Sequence, residues 1–234
     1  KGHSVRAMYL AIGMAEVARE KGDESLLAAC RRLFDNLIQR RMYVTGGGGA
    51  TENGEAFTFD YDLPNDTAYA ETCASIALCF FARSMLRLDL DGRYADAMER
   101  ALYNTCLAGM SLDGKNFFYV NPLEVLPEAS HKDPNKRHVL PVRPKWFGCA
   151  CCPPNLARLS SYAYSWAKGE AYVHLYLGGE ARLGDGVALT VNTEYPRTGR
   201  IEITPSAGKY ALNLRVPGFS QGNFELKLNG KSTA

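Results

Sequence analysis

No apolar run in the sequence approaches the ~20 residues that span a bilayer, and the opening stretch, KGHSVRAMYL, lacks the long apolar core of a secretory signal. The chain also lacks an initiator methionine and begins at what reads as the start of a helix, so a fragment of a longer protein is expected. A dominant charge sign is missing too. The 27 basic and 25 acidic side chains are spread along the chain and leave a formal net charge of +2, which offers no patch for nucleic acid or an anionic membrane. The expected partner is small or uncharged. The glycine run at 46–49 has no GK[ST] ending and is not G-x-G-x-x-G. Phosphate cradles of those types are therefore disfavoured, and the run reads as a turn that needs unusual backbone angles.

What is present is the composition of a folded protein: 46% hydrophobic and 22% charged residues in a chain of 234. Val5, Met8, Tyr9, Ile12 and Ala15 form an apolar stripe at helical spacing over 4–20. A second helix over 23–41 carries Leu26, Cys30, Leu33, Phe34 and Leu37, with Asp23 as its N-cap. The short KGD connection predicts an antiparallel hairpin. A long glycine-rich stretch follows and ends at a third helix, capped by Asp66 or Thr67, with Ala70, Cys73, Ala77, Phe81 and Ser84 along one face. A fourth helix is expected over 92–109, then a second irregular stretch over 111–154, then a fifth helix over 155–167. From Gly169 the pattern changes to short alternating runs with β-branched residues and glycine or proline turns, which predicts an antiparallel sheet, part of a sandwich. The fold class expected is α+β and multidomain, with helices over 1–168 and strands over 169–234. Paired helices with long loops at one rim suggest a barrel or toroid, but the helices here are too few to close one.

Seven cysteines cannot all pair within the chain. Cys30, Cys79 and Cys106 fall in helical patterns and read as small buried hydrophobes. Cys73, Cys149, Cys151 and Cys152 need another account, because FGCACCPPN places three thiols in residues 149–152. A bridge between the neighbours Cys151 and Cys152 is disfavoured, since bridged Cα atoms usually lie ~4.4–6.8 Å apart and those of neighbours near ~3.8 Å. A redox pair made from those two is weak for the same reason. Pro153 and Pro154 suit a helix start, so the thiols sit at an amide end that favours thiolates. Glu71, Cys73, Cys151 and Cys152 would offer zinc one carboxylate and three thiolates. On a regular helix Glu71 and Cys73 point about 200° apart, so both reach one ion only from an irregular first turn or by bending of the long glutamate. From residues alone a metal site, reactive metal-free thiols and core cysteines all stay open. Glu55 and Tyr119 also lie on loops, and each has an ordinary reading as a solvated carboxylate or a packed ring.

GEAFTFDYDLPND, AETCAS and CACCPPN, with KGHS at the start, occur in the order in which they stand in bacterial β-L-arabinofuranosidases. The chain resembles glycoside hydrolase family 127 and its relative, family 146, from Lys1 into the β region. The resemblance implies half of an (α/α)6 catalytic barrel over 1–168, part of a β-sandwich over 169–234, and retaining release of L-arabinose from an arabinofuranoside-containing glycan. It implies Cys151 as a zinc-bound nucleophile, Glu55 as general acid/base, and Glu71, Cys73 and Cys152 as the other zinc ligands. His3 and Tyr119 match residues that contact the sugar, whereas Cys149 has no assigned role and is expected to pack. A carbohydrate-binding or scaffolding protein with a structural zinc is the alternative. Reduced cysteines favour the bacterial cytoplasm, and the oligomeric state stays open, a homodimer included.

Overall fold

A computed structural model describes residues 2–124, 143–144, 149, 151–220 and 222–233. Most of the second irregular stretch lies outside them, as does Lys1 of the KGHS motif. Two compact units emerge, Lys1–Ala157 and Arg158–Ala234.

In the first unit, β1 (Gly2–His3) pairs antiparallel with β2 (Ala56–Phe57) and leads directly into α1 (Ser4–Lys21). Gly22, at φ 62°, ends α1 in a left-handed cap, and the Asp23 carboxylate accepts from the Ser25 and Leu26 amides to start α2 (Glu24–Arg40). Met8, Ala11, Ala15 and Ala18 of α1 and Leu27, Cys30, Phe34 and Leu37 of α2 are buried, so the expected hairpin forms, but Tyr9 and Leu33 of the expected stripes are exposed. Helix α3 (Thr72–Leu86) is buried on nearly every side and packs against α1 and against α4 (Gly92–Ala101). Phe34 makes edge contacts with Phe81 and Tyr94 at 5.3 and 4.8 Å between ring centroids, each worth about 0.5–1.5 kcal/mol beyond simple burial.

The start of the third helix differs from expectation. Helix α3 does not start at Asp66 or Thr67, because Ala70 adopts φ 39° and Glu71 sits at φ −57°, ψ 136°, both outside helical geometry. The Ala70 amide bonds the Gly49 carbonyl at 2.9 Å and the Thr72 amide bonds the Tyr119 carbonyl at 2.9 Å, so two loops hold the chain off the helical path. Helix α4 begins behind Asp91 as expected, and the helical path continues through a π-turn at Leu102–Cys106 to Ala108, close to the expected end at Gly109. The glycine run does carry left-handed backbone, at Gly46 (φ 81°) and Gly49 (φ 98°). A Cβ on Gly46 would lie 2.5 Å from the Ala101 Cα, so the loop reaches its place only without a side chain there.

The expected fifth helix is also shorter than its pattern. The chain forms β3 (Asn116–Phe117) with β4 (Arg143–Pro144), then α5 (Cys152–Ala157), then in the second unit α6 (Leu159–Ala163) and β5 (Tyr164–Ala167). Tyr164–Ala167 leave the helix because they pair with β6 (Glu170–Val173) across Lys168 and Gly169, both at positive φ, as a tight hairpin turn demands. Strands β7 (Gly179–Arg182), β8 (Ala188–Thr193) and β9 (Ile201–Pro205) form a second, antiparallel sheet, and β10 (Ala211–Leu214) returns to β6. That last pairing is parallel, not antiparallel as expected, since the three intervening strands act as the long crossover a parallel pair requires. Val173, Tyr176, Leu189 and Val191 form the buried core, with Leu212, Leu214, Ile201 and Ile203 against it. A terminal ribbon pairs β11 (Lys227–Leu228) with β12 (Lys231–Ser232). Among the described residues no helix is long and apolar enough to cross a membrane.

Candidate active site

Both sides of the site begin at the start of a helix. His3 is the N-cap of α1, and its Nδ1 accepts the Arg6 amide at 3.5 Å. Nε2 donates to Glu55 Oε2 at 2.8 Å. The other oxygen, Glu55 Oε1, accepts the Tyr69 hydroxyl at 3.0 Å. Glu55 itself has φ 50°, and its carbonyl accepts both the amide and the hydroxyl of Ser4, at 2.9 and 3.0 Å. Burial, reinforced by Glu55, pushes the Tyr69 hydroxyl well above its ordinary pKa, so it stays a donor.

Tyr119 lies edge-on to Tyr69 with ring centroids 6.2 Å apart, and its hydroxyl donates to Glu71 Oε1 at 3.1 Å. Among the described residues Glu71 Oε2 is buried without a partner in hydrogen-bond distance. Burial raises the Glu71 carboxyl pKa, against the opposing pull of the Cys73 thiol, and the Glu55 charge adds to the rise. Because Glu71 is the N-cap of α3 and lies outside the helix, the angular separation expected of a regular helix does not apply. Glu71 and Cys73 face each other.

Beyond them stand the sulfurs. Cys73 Sγ is 3.5 Å from Cys149 Sγ, which is 3.8 Å from Cys151 Sγ, and the three lie within 4.8 Å of one another as a buried group able to hold a metal ion. Contact with Cys151 and then burial push the Cys73 thiol far above its ordinary range, which leaves it protonated unless a cation stands nearby. Cys151 immediately precedes α5, and Cys152 is the first residue of it. Cys152 is joined to Cys149 as a disulfide with Cα atoms 5.4 Å apart. Cys30, Cys79 and Cys106 are free and buried in the helical core, with Cys106 beside Cys79 and within electrostatic reach of Cys73 and Cys151.

His3 and Glu55 are thus brought together, as are Tyr119 and Glu71, and Cys73 and Cys151. Cys152, expected to be a metal ligand, faces Cys149, and Cys149, expected only to pack, touches Cys73. Two features escaped the sequence. One is the C-x-x-C spacing of Cys149 and Cys152, which corrects the expectation that the chain has no C-x-x-C and that a redox pair is weak on that ground. The other is Tyr69, which alternates with Glu71 and Cys73 in YAETC and carried no signal of its own.

A fixed carboxylate, a second carboxylate and a group of buried thiols able to hold a metal ion thus stand together on a helical scaffold. Residues 1–165 match the beta-L-arabinofuranosidase GH127 catalytic domain, and residues 170–234 match the GH127 middle domain. The chain belongs to this family of glycoside hydrolases. It is similar to the non-reducing end beta-L-arabinofuranosidase of Bifidobacterium longum subsp. longum, at 45% identity over 98% of this chain. Among solved structures it resembles Ara127N-Se, a GH127 beta-L-arabinofuranosidase from Geobacillus stearothermophilus T6, at 51% identity and TM-score 0.84 over 100% of this chain. A GH127 beta-arabinofuranosidase at 36% identity gives TM-score 0.82, again over 100% of this chain. The chain spans 37% of the Bifidobacterium protein and 38% and 39% of the two solved chains.

Proposed function

We propose that the complete protein is a retaining β-L-arabinofuranosidase, and that this chain carries its acid/base, its nucleophile and its metal ligands. On this reading residues 1–168 belong to the second half of an (α/α)6 barrel and residues 169–234 to a β-sandwich. The substrate is an arabinofuranoside-containing glycan. The observation that carries the reading is the grouping of Glu55, held at both oxygens, with a second carboxylate and buried thiols.

The donor set fits zinc: thiolate sulfurs with one carboxylate suit a borderline-soft ion, and the unpartnered Glu71 Oε2 is an oxygen in need of a cation. The ligands on this reading are Glu71, Cys73, Cys151 and Cys152, the last once an external dithiol has reduced its bond to Cys149 by two electrons and two protons and has itself been oxidised to a disulfide. Zinc, when bound, supplies the positive charge that keeps these thiols ionised at neutral pH, where a free cysteine is only a few per cent thiolate.

His3 and Tyr119, beside the two carboxylates, contact the sugar. Cys151 sulfur attacks the anomeric carbon; the C–S bond forms as the glycosidic C–O bond breaks, and Glu55 gives its proton to the departing oxygen. Glu55, now a carboxylate, takes a proton from water, whose oxygen displaces the sulfur and regenerates the thiolate. Two displacements retain the configuration. Because the nucleophile is sulfur, the carboxylate-separation rule of ordinary retaining glycosidases does not transfer. In the full-length protein, Cys151→Ser should abolish release of arabinose while sugar binding persists. Retained turnover would exclude the nucleophile, and a wild type that binds arabinosides without releasing arabinose would favour a non-catalytic binding protein.

A further inference from the structure

Tyr69 touches the acid/base, yet the mechanism above gives it no task. Its hydroxyl donates to Glu55 Oε1 at 3.0 Å, opposite the 2.8 Å contact of His3 with Oε2. Backbone geometry flanks this contact on both sides. Glu55 has φ 50° and Ala70, the residue after Tyr69, has φ 39°. A left-handed backbone at a residue other than glycine costs on the order of 1–3 kcal/mol and persists only where the surroundings enforce it. Here the surroundings do so. The Ala70 amide donates to Gly49, the Ala70 carbonyl accepts from Asn121 Nδ2 at 2.9 Å, and the Tyr69 carbonyl accepts the Asn121 amide at 3.2 Å. A Cβ placed on Gly47 would lie 3.3 Å from the Ala70 Cβ, so no slack exists on that side either. The same bend that delivers Glu71 to the sulfurs delivers the Tyr69 hydroxyl to Glu55.

We infer that Tyr69 is a positioning residue for the acid/base: together with His3 it fixes the plane of the Glu55 carboxyl so that one oxygen delivers its proton to the leaving group. The inference rests on Glu55 being the acid/base. A hydroxyl bonded to Oε1 and an imidazole bonded to Oε2 define the carboxyl plane by two points, and either contact alone leaves rotation about the last side-chain bond. Tyr119, edge-on to Tyr69, spaces this carboxyl from Glu71, so the position of the proton donor is referred to the position of the thiols. A packing tyrosine would support both displacements and every substrate equally. A positioning tyrosine matters most where proton delivery limits the rate.

The test uses the full-length enzyme and two β-L-arabinofuranosides, one with a sugar or alkyl leaving group that needs protonation and one with a nitrophenyl group that does not. Glu55→Gln should lower kcat/KM by about 10³-fold on the first and far less on the second. Tyr69→Phe should lose about 10-fold on the first, the effect of one orienting hydrogen bond to the acid, and less than about 3-fold on the second. KM should be little changed. The Tyr69→Phe/Glu55→Gln double variant should be no slower than Glu55→Gln alone, because both act on one proton transfer. Equal Tyr69→Phe losses on the two substrates, additive losses in the double variant, or loss of zinc or of the melting transition in Tyr69→Phe would each overturn the inference while leaving Glu55 in place. A Glu55→Gln enzyme that loses equally on both substrates would overturn the acid/base reading itself.

Discussion

Glu71→Gln should act with opposite signs in the presence and absence of metal. In the metal-free protein one Glu71 oxygen accepts from Tyr119, and the other is buried with no partner in hydrogen-bond distance among the described residues, the carboxyl having only the weakly donating Cys73 thiol beside it. An unsatisfied buried acceptor costs on the order of 1–3 kcal/mol, and more when it is charged. The carboxyl escapes part of that cost by holding its proton, and burial accordingly raises its pKa. A group of this kind stabilises the fold below its unfolded pKa, near ~4.3, and that contribution is lost as pH rises through the higher folded value. Glutamine keeps the acceptor for Tyr119 and carries no charge. The metal-free variant should therefore match wild type near pH 4 and be more stable by about 1 kcal/mol at pH 7. With metal the sign reverses. A residue that merely orients a ligand costs 10–100-fold in affinity when removed, so loss of a charged ligand should weaken zinc by about 100-fold or more, near 2.7 kcal/mol. Chelator competition measures the second quantity, and melting of the demetallated protein from pH 4 to 7 measures the first. Zinc affinity within about 3-fold of wild type would refute the assignment of Glu71 as a ligand, and destabilisation of the metal-free protein at pH 7 would refute the account of its orphaned oxygen.

Cys149→Ser and Cys152→Ser separate the two ligand sets that the sulfurs permit: if Cys152 is the ligand, Cys149→Ser should hold zinc within a few-fold of wild type under reducing conditions while Cys152→Ser loses about 100-fold or more; the reverse ranking would give the position to Cys149. His174, buried in the second unit, has its pKa lowered to about 4, first by burial and then by the Arg215 charge. Its neutral form is favoured by the fold, so it contributes stability that is complete above about pH 6.5 and is lost as pH falls toward 4, on the order of 3 kcal/mol in all; His174→Gln should flatten that part of the stability profile, and an unchanged profile would refute the claim. Gly46→Ala forces a left-handed backbone and a contact at 2.5 Å with Ala101, which should cost about 2–5 kcal/mol in denaturant titrations; a loss below 1 kcal/mol would mean that the loop moves freely over α4.

The apolar stripes of α1 and α2 were legible because period and caps agreed: Asp23 caps α2 in the structure as its sequence position predicts. The start of α3 was not. Asp66 and Thr67 look like caps, and only the bonds of Ala70 to Gly49 and of Thr72 to Tyr119, contacts across the chain, postpone the helix to Thr72. Tyr164–Ala167 continued a helical pattern, but pairing with Glu170–Val173 outweighed local propensity. At the site, thiols and carboxylates announced themselves by residue type and motif. Tyr69 did not, because a tyrosine that orients a carboxylate is indistinguishable in sequence from one that packs, and its neighbour Glu55 is 14 positions away.

The backbone bonds of Ala70 and Thr72 also set where the chain can change in length. Loops of most enzymes absorb insertions at small cost, because closure entropy grows slowly with length. Here the 43–55 loop and the 116–121 segment are clamped to alternate amides of one short stretch, so an added residue in either would shift the hydrogen-bond register at Ala70 or Thr72. A one-residue slip there carries Tyr69 and Glu71 away together. Natural length variation should therefore collect outside these two clamps, and the lengths of the 43–55 loop and of the 116–121 segment should stay fixed.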